Sequence, residues 1–199
     1  MHKTTHQSKK IVGVVGAAAS GKNKVADIFA ENGYFHVSSS DKLREEIASR
    51  GLLTSRELQT AIANEMRASA GLGYWVDISL LDVPEDADRI VVSGIYSVGE
   101  GLYLRQNLGG LIVGVTVADV DNPASRYRRL IERSEGDRDN ISEPDFLAAN
   151  QRENSGTELY ETNVAALVDM ADYVITNSST LDFLNQQTLA VIQQIGVIS

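Results

Sequence analysis

Three compact apolar runs, residues 11–15, 89–93 and 111–117, stand out along the chain, with weaker ones at 34–38 and 171–176. Each is short, rich in β-branched or aromatic residues, and not cleanly alternating. That pattern predicts strands buried on both faces, as in a parallel sheet. Helical spacing fills the intervals. Residues 22–32 place Val25, Ile28 and Phe29 on one face, and residues 41–50 form a short charged helix. A long helical region over 55–81 is broken near Gly71 and Gly73. Further helices are expected at 98–107, 122–133, 146–170 (one or two around Gly156) and 181–195. Strands alternating with helices imply α/β layers, right-handed crossovers and a three-layer sandwich.

The first strand runs directly into Gly16-Ala17-Ala18-Ala19-Ser20-Gly21-Lys22-Asn23, which opens the first helix. This is G-x-x-x-x-G-K, with Asn23 where Ser or Thr is usual. Glycines let the backbone curl so that several N–H groups, as far as Lys24, converge on phosphates. The helix N-terminus adds a partial positive charge. Lys22 would bridge the β- and γ-phosphates. The opposing reading is a glycine-rich turn whose lysine is merely solvated. An Asn23 amide oxygen is a weaker Mg²⁺ ligand than the usual hydroxyl, or an indirect one.

Composition bears on partners. The 199 residues suit one domain, or one with a mobile insert, and the hydrophobic share of 43% supplies a core. A formal net charge of -9 argues against nucleic-acid binding, which needs a basic footprint. With no cysteine, disulfides and thiolate metal sites are excluded. No run approaches a membrane span, and no secretory leader is visible, so a cytoplasmic protein is expected. His2 and His6 read as part of a frayed terminus, and His36 as a core or edge histidine.

Charge distribution adds candidates. Five of the twelve arginines fall between Arg126 and Arg138. Helical spacing puts Arg126, Arg129 and Arg133 on one side, away from Tyr127 and Ile131. This side reads as a phosphate clamp or as a solvated face paired with Glu132 and Glu135. The polar stretch 134–144 reads as a closing lid. Arg152 would add an arm from the far side or be an ordinary surface charge. Asp41, on the carboxyl edge of the second strand, would orient an acceptor hydroxyl or cap the helix beginning at Lys42. Arg44 would reach an acceptor phosphate or pair with Glu45 or Glu46. Residues 176–179, including Asn177, would wrap a base through backbone groups or cap the last helix. Tyr74 and Trp75 read as core packing.

The chain resembles the P-loop kinases grouped with dephospho-CoA kinase and the nucleoside monophosphate kinases, over roughly residues 10–196. The loop Gly16–Lys22 carries the resemblance first. Ser38-Ser-Ser-Asp41-Lys-Leu-Arg44-Glu45 looks like the family's acceptor-site helix. Ser93-Gly94-Ile95-Tyr96-Ser97 looks like its Asp-Gly-Ile-Arg-Ser. Arg126-Tyr-Arg-Arg129-Leu130, Arg152-Glu153 and residues 171–177 match later segments.

The resemblance implies a three-layer αβα fold with a five-stranded parallel sheet in the order 2-3-1-4-5. It implies a single domain, 1–199, with an acceptor region about 41–82 and a lid about 126–152. It also implies ATP and Mg²⁺ as co-substrate and metal, and a small nucleotide-like acceptor, a nucleoside monophosphate or dephospho-CoA. Lys22, Asp41, Arg126 and Arg129 would take part in transfer; Arg44, Tyr96, Arg133 and Arg152 would contact substrate. A monomer or homodimer is expected. Three positions depart from the family pattern: Asn23, Ser93 at the Walker-B aspartate, and Tyr96 at a substrate-facing arginine. A carboxylate at position 93 would orient Mg²⁺ and its waters. Two readings therefore stand: a phosphotransferase, or a nucleotide-binding regulatory protein that has lost transfer.

Overall fold

The computed structural model describes residues 9–117, 123–133, 141–178 and 180–197, with the Arg133 side chain also outside the described set. His2, His6 and most of the expected lid stretch 134–144 lie outside it.

Five parallel strands form one sheet in the order β2-β3-β1-β4-β5, as the resemblance implied. They are β1 (Lys10–Val15), β2 (Phe35–Ser38), β3 (Arg89–Ser93), β4 (Leu111–Val117) and β5 (Tyr173–Asn177). The register pairs Gly13 of β1 with Val92 of β3 and Ile112 of β4. The central strand is thus hydrogen-bonded on both edges and covered on both faces. This is why residues 11–15 read as unbroken hydrophobicity.

The pleat sends alternate residues of β1 to opposite layers. Val12 and Val14 pack with Val25 and Phe29 of α1 (Lys22–Glu31) and Leu184 of α9 (Leu181–Val197). Ile11 and Val15 pack on the other side with Leu104 of α5 (Val98–Leu108). Gly13 faces the same side; a Cβ there would stand 2.9 Å from both Ile95 Cδ1 and Leu104 Cδ1, so glycine lets α5 lie close.

Beyond β2 the chain builds α2 (Ser39–Ser49), α3 (Arg56–Ala70) and α4 (Tyr74–Leu80). Leu43, Ile47, Ile62, Ala63 and Trp75 give these helices a small core of their own. Trp75 is buried and its Nε1 donates to the Ala63 carbonyl at 3.3 Å, in line with its reading as core. Helix α2 starts two residues before Asp41. Its N-cap is Ser38, whose hydroxyl accepts from the Asp41 N–H at 3.2 Å, so the capping role read for Asp41 is corrected. After β4 come α6 (Pro123–Arg133) and α7 (Glu143–Arg152), and a short α8 (Val164–Asp169) precedes β5.

Candidate functional site

Helices α2, α3, α5, α7 and α8 are each capped by a Ser or Asn side chain, whereas α1, like the short α4, has none. Its N-cap is Gly21, at a left-handed φ of 97°, and its first turn carries no acid. The first-turn amides therefore keep their partial positive charge for an outside anion. Ala19 also adopts a left-handed φ, 59°, which costs a non-glycine residue about 1 kcal/mol or more. A curl held at that cost, with the Ser20 hydroxyl buried and unpartnered, has the form of an anion cradle.

Neighbouring elements fix the curl. The Asn177 amide, at the end of β5, donates to the Ser20 carbonyl at 3.0 Å. A Cβ on Gly21 would stand 2.5 Å from Asn177 Nδ2, so glycine and asparagine fit as a pair. The Asn177 side chain thus buttresses the loop. The Arg126 guanidinium reaches from α6 to the Ala18 carbonyl at 3.3 Å and to Asn150 Oδ1 of α7 at 2.6 Å. Arg126 is buried, its Nε has no partner, and it has no ion pair with a carboxylate among the described residues. Burial pulls its pKa below the usual arginine value, against the opposing field of Glu153. Lys22 donates weakly to the Ala17 carbonyl at 3.4 Å, and its Nζ lies 5.7 Å from the Tyr96 ring centre. It too lacks a carboxylate partner among the described residues.

Of the clamp expected from α6, the side chains of Arg126 and Arg129 are described. Arg126 is buried on the inward side with Leu130, while Arg129 is half-buried and makes no ion pair among the described residues. The Arg133 side chain lies outside the described set. Lys24 pairs with Glu31 at 3.5 Å on the exposed side of α1, leaving only its backbone near the loop.

A cleft of about 1120 Å³ opens from Ala18, Lys22 and Asn23 across Gly94 and Tyr96 to α3 and the end of α7. Arg44 and Arg152 border it; Asp41 does not. Asp41 is exposed and bound to Arg44 on the same helix, which also replaces the expected Arg44 pairing with Glu45 or Glu46. Arg152 is bound to Glu57 at 2.6 Å. Ser93 is buried at the end of β3, and its hydroxyl contacts His36 Nε2 at 2.9 Å.

Burial lowers the His36 pKa, with Asp27 and Asp41 pushing the other way. The unfolded chain then binds the proton more readily. The resulting stability is full above about pH 6.5 and declines as pH falls through the folded value. Melting temperatures between pH 7 and 5 are expected to fall less for His36→Gln than for the wild type.

Arg67 and Glu100 have no counterpart among the sequence-read candidates. Arg67 of α3 meets Glu100 of α5 at 3.1 Å with both side chains almost wholly buried. One Glu100 oxygen also accepts from the N–H groups of Tyr96 and Ser97. Arg67 further donates to Asn64 Oδ1 and the Tyr160 carbonyl. The pair therefore ties α3 to the turn carrying Tyr96. Ser97-Val-Gly-Glu100 is legible in sequence as a capping box; its distant partner Arg67 is not.

For Mg²⁺, the donors fit an ion that arrives on a triphosphate. Asn23 offers one oxygen at the loop, and among the described residues no group of three or more His, Cys, Asp or Glu could hold a metal.

A central parallel sheet, a glycine-rich loop at its carboxyl edge and helices on both faces together define the fold of the P-loop kinases. Solved structures agree. A shikimate kinase from Acinetobacter baumannii superposes with a TM-score of 0.53 at 14% identity, covering 96% of each chain. A sugar kinase from Janibacter gives 0.51 at 16%, covering 93% of this chain and 95% of its own. In sequence, the chain is similar to UPF0200 proteins. One from Methanosarcina barkeri is 28% identical over 186 residues, 92% of this chain and 94% of its own. Another, from Thermococcus sibiricus, is 25% identical over 190 residues, 94% and 96%. No protein-family model matches the chain.

Proposed function

We propose that this protein transfers the γ-phosphoryl group of ATP, bound with Mg²⁺, to a small acceptor held against α2, α3 and α4. The observation that carries this is the pair of cations, Lys22 and Arg126, meeting consecutive carbonyls of the uncapped loop with no carboxylate ion pair to either among the described residues. A buried cation without a counter-ion is costly unless an anion joins it. Phosphoryl transfer needs mainly positioning and charge neutralisation of that kind. Bound Mg²⁺ would supply Lewis-acid stabilisation of the phosphates, with Asn23 as its protein contact. The resemblance to nucleotide kinases adds a nucleotide-like acceptor. The molecule would act as a single kinase-like domain in the cytoplasm.

The second reading is a nucleotide-binding regulator without transfer. The Ser93 hydroxyl favours it, held by His36 where a metal-orienting carboxylate would stand. ADP formation with ATP and Mg²⁺, measured across nucleosides, nucleoside monophosphates, dephospho-CoA and small alcohols, decides between them. The transferase reading predicts turnover with one acceptor class and faster turnover in Ser93→Asp. Retained ATP binding with silence in both proteins would establish the regulator.

A further inference from the structure

The cations along the cleft fall into two groups. At the loop end, Lys22 lines the cleft and Arg126 lies buried behind the loop against the Ala18 carbonyl, and neither has a carboxylate ion pair among the described residues. At the acceptor end, each of the four arginines that border the cleft is already bound to an acid. Arg44 is held by Asp41. Arg67 is held by Glu100 at 3.1 Å. Arg56 and Glu57, adjacent on α3, pair crosswise with Glu153 at 3.8 Å and Arg152 at 2.6 Å. Asp145 adds one more carboxylate to the lining.

A phosphate monoester entering this end would meet no free cation among the described residues that line it. It would have to displace a carboxylate that stays nearby and repels it. The exposed pairs are individually weak. Displacement therefore costs little per pair, but the site gains net negative charge each time. The deepest pair cannot open at all without leaving Glu100 buried and unpaired. What the acceptor end offers instead is hydrogen bonding from Gln59, Thr60 and Thr162 beside the apolar surface of Leu43 and Trp75.

We infer that the acceptor is a neutral hydroxyl-bearing molecule of the nucleoside or polyol class, and that it brings no phosphate monoester to the α2–α3 end. This rests on the phosphoryl-transfer reading above and replaces the nucleotide-like acceptor added there from the resemblance. The acceptor oxygen forms the new O–P bond as the bond from the γ-phosphorus to the bridging oxygen breaks. ADP leaves with that electron pair, and the hydroxyl proton passes to water. With little bond formation to the nucleophile in a loose transition state, transfer does not require a strong base, consistent with Asp41 lying outside the cleft lining.

The test compares matched probes by calorimetry on the protein saturated with ADP and Mg²⁺: ribose against ribose 5-phosphate, and uridine against uridine monophosphate. The monoesters are expected to bind no more tightly than their neutral partners. In Asp41→Asn/Glu57→Gln, which releases Arg44 and Arg152, monoester affinity is expected to rise about tenfold or more, roughly 1.4 kcal/mol. Wild-type preference for either monoester by about tenfold, or no gain in the double variant, overturns the inference. Failure of ADP to bind would instead sink the transfer reading. The same comparison on nucleotide-free protein would still report the charge state of the acceptor end.

Discussion

Lys22→Ala is expected to abolish ATP-dependent turnover and to weaken ATP binding by at least about 2 kcal/mol, some thirtyfold. Its ammonium stands at the mouth of the loop, tethered only by a long contact to the Ala17 carbonyl and by the face of Tyr96. Neither contact holds it firmly, so it is free to move onto a triphosphate. Removing it leaves the loop amides and Arg126 to meet that charge. The fold should be indifferent to the change, because the lysine makes no ion pair among the described residues. Unaltered thermal unfolding beside lost turnover is therefore the expected pairing. A variant that kept wild-type turnover would remove Lys22 from the mechanism.

Arg67→Met carries the second large effect, and it falls on stability. Glu100 would remain wholly buried with its charge opposed only by backbone N–H groups and a hydroxyl. Breaking one side of a buried ion pair costs about 3–5 kcal/mol. For a chain of this size that is a drop in Tm of roughly 6–20 °C. Arg67→Met/Glu100→Gln should recover most of the loss. The glutamine oxygen can still accept from Tyr96 and Ser97 while no buried charge is left unpaired. Urea unfolding of the two single variants and the double gives the coupling directly. A double variant no more stable than Arg67→Met would show that charge pairing is not what Arg67 supplies.

The features legible in the sequence were those encoded locally. Three of the five strands are short, compact apolar runs and two are weaker ones, and the loop is a contiguous motif whose glycines answer to specific backbone needs, as Gly21 does. Strand order came with the family resemblance. The clustering of arginines near position 126 drew attention to α6, yet periodicity alone could not tell Arg126, buried against the loop, from the half-buried Arg129. Asp41 and Arg44 looked like two independent site residues. On α2 they stand three apart, the spacing at which opposite charges meet and satisfy each other. Arg67 and Glu100 could not be paired from sequence, since 33 positions separate them and only the packing of α3 against the β3–α5 turn brings them together. The contact of the Asn177 side chain with the Ser20 carbonyl was not legible either, since it depends on β5 lying beside β4 next to the loop.

Titrating ATP with Mg²⁺ into the wild-type protein and into Lys22→Ala by calorimetry probes the anion cradle without reference to any acceptor. Saturable binding of one nucleotide per chain, greatly weakened by the substitution, is the result this account predicts. No heat at millimolar ATP, or equal affinity in both proteins, would contradict it.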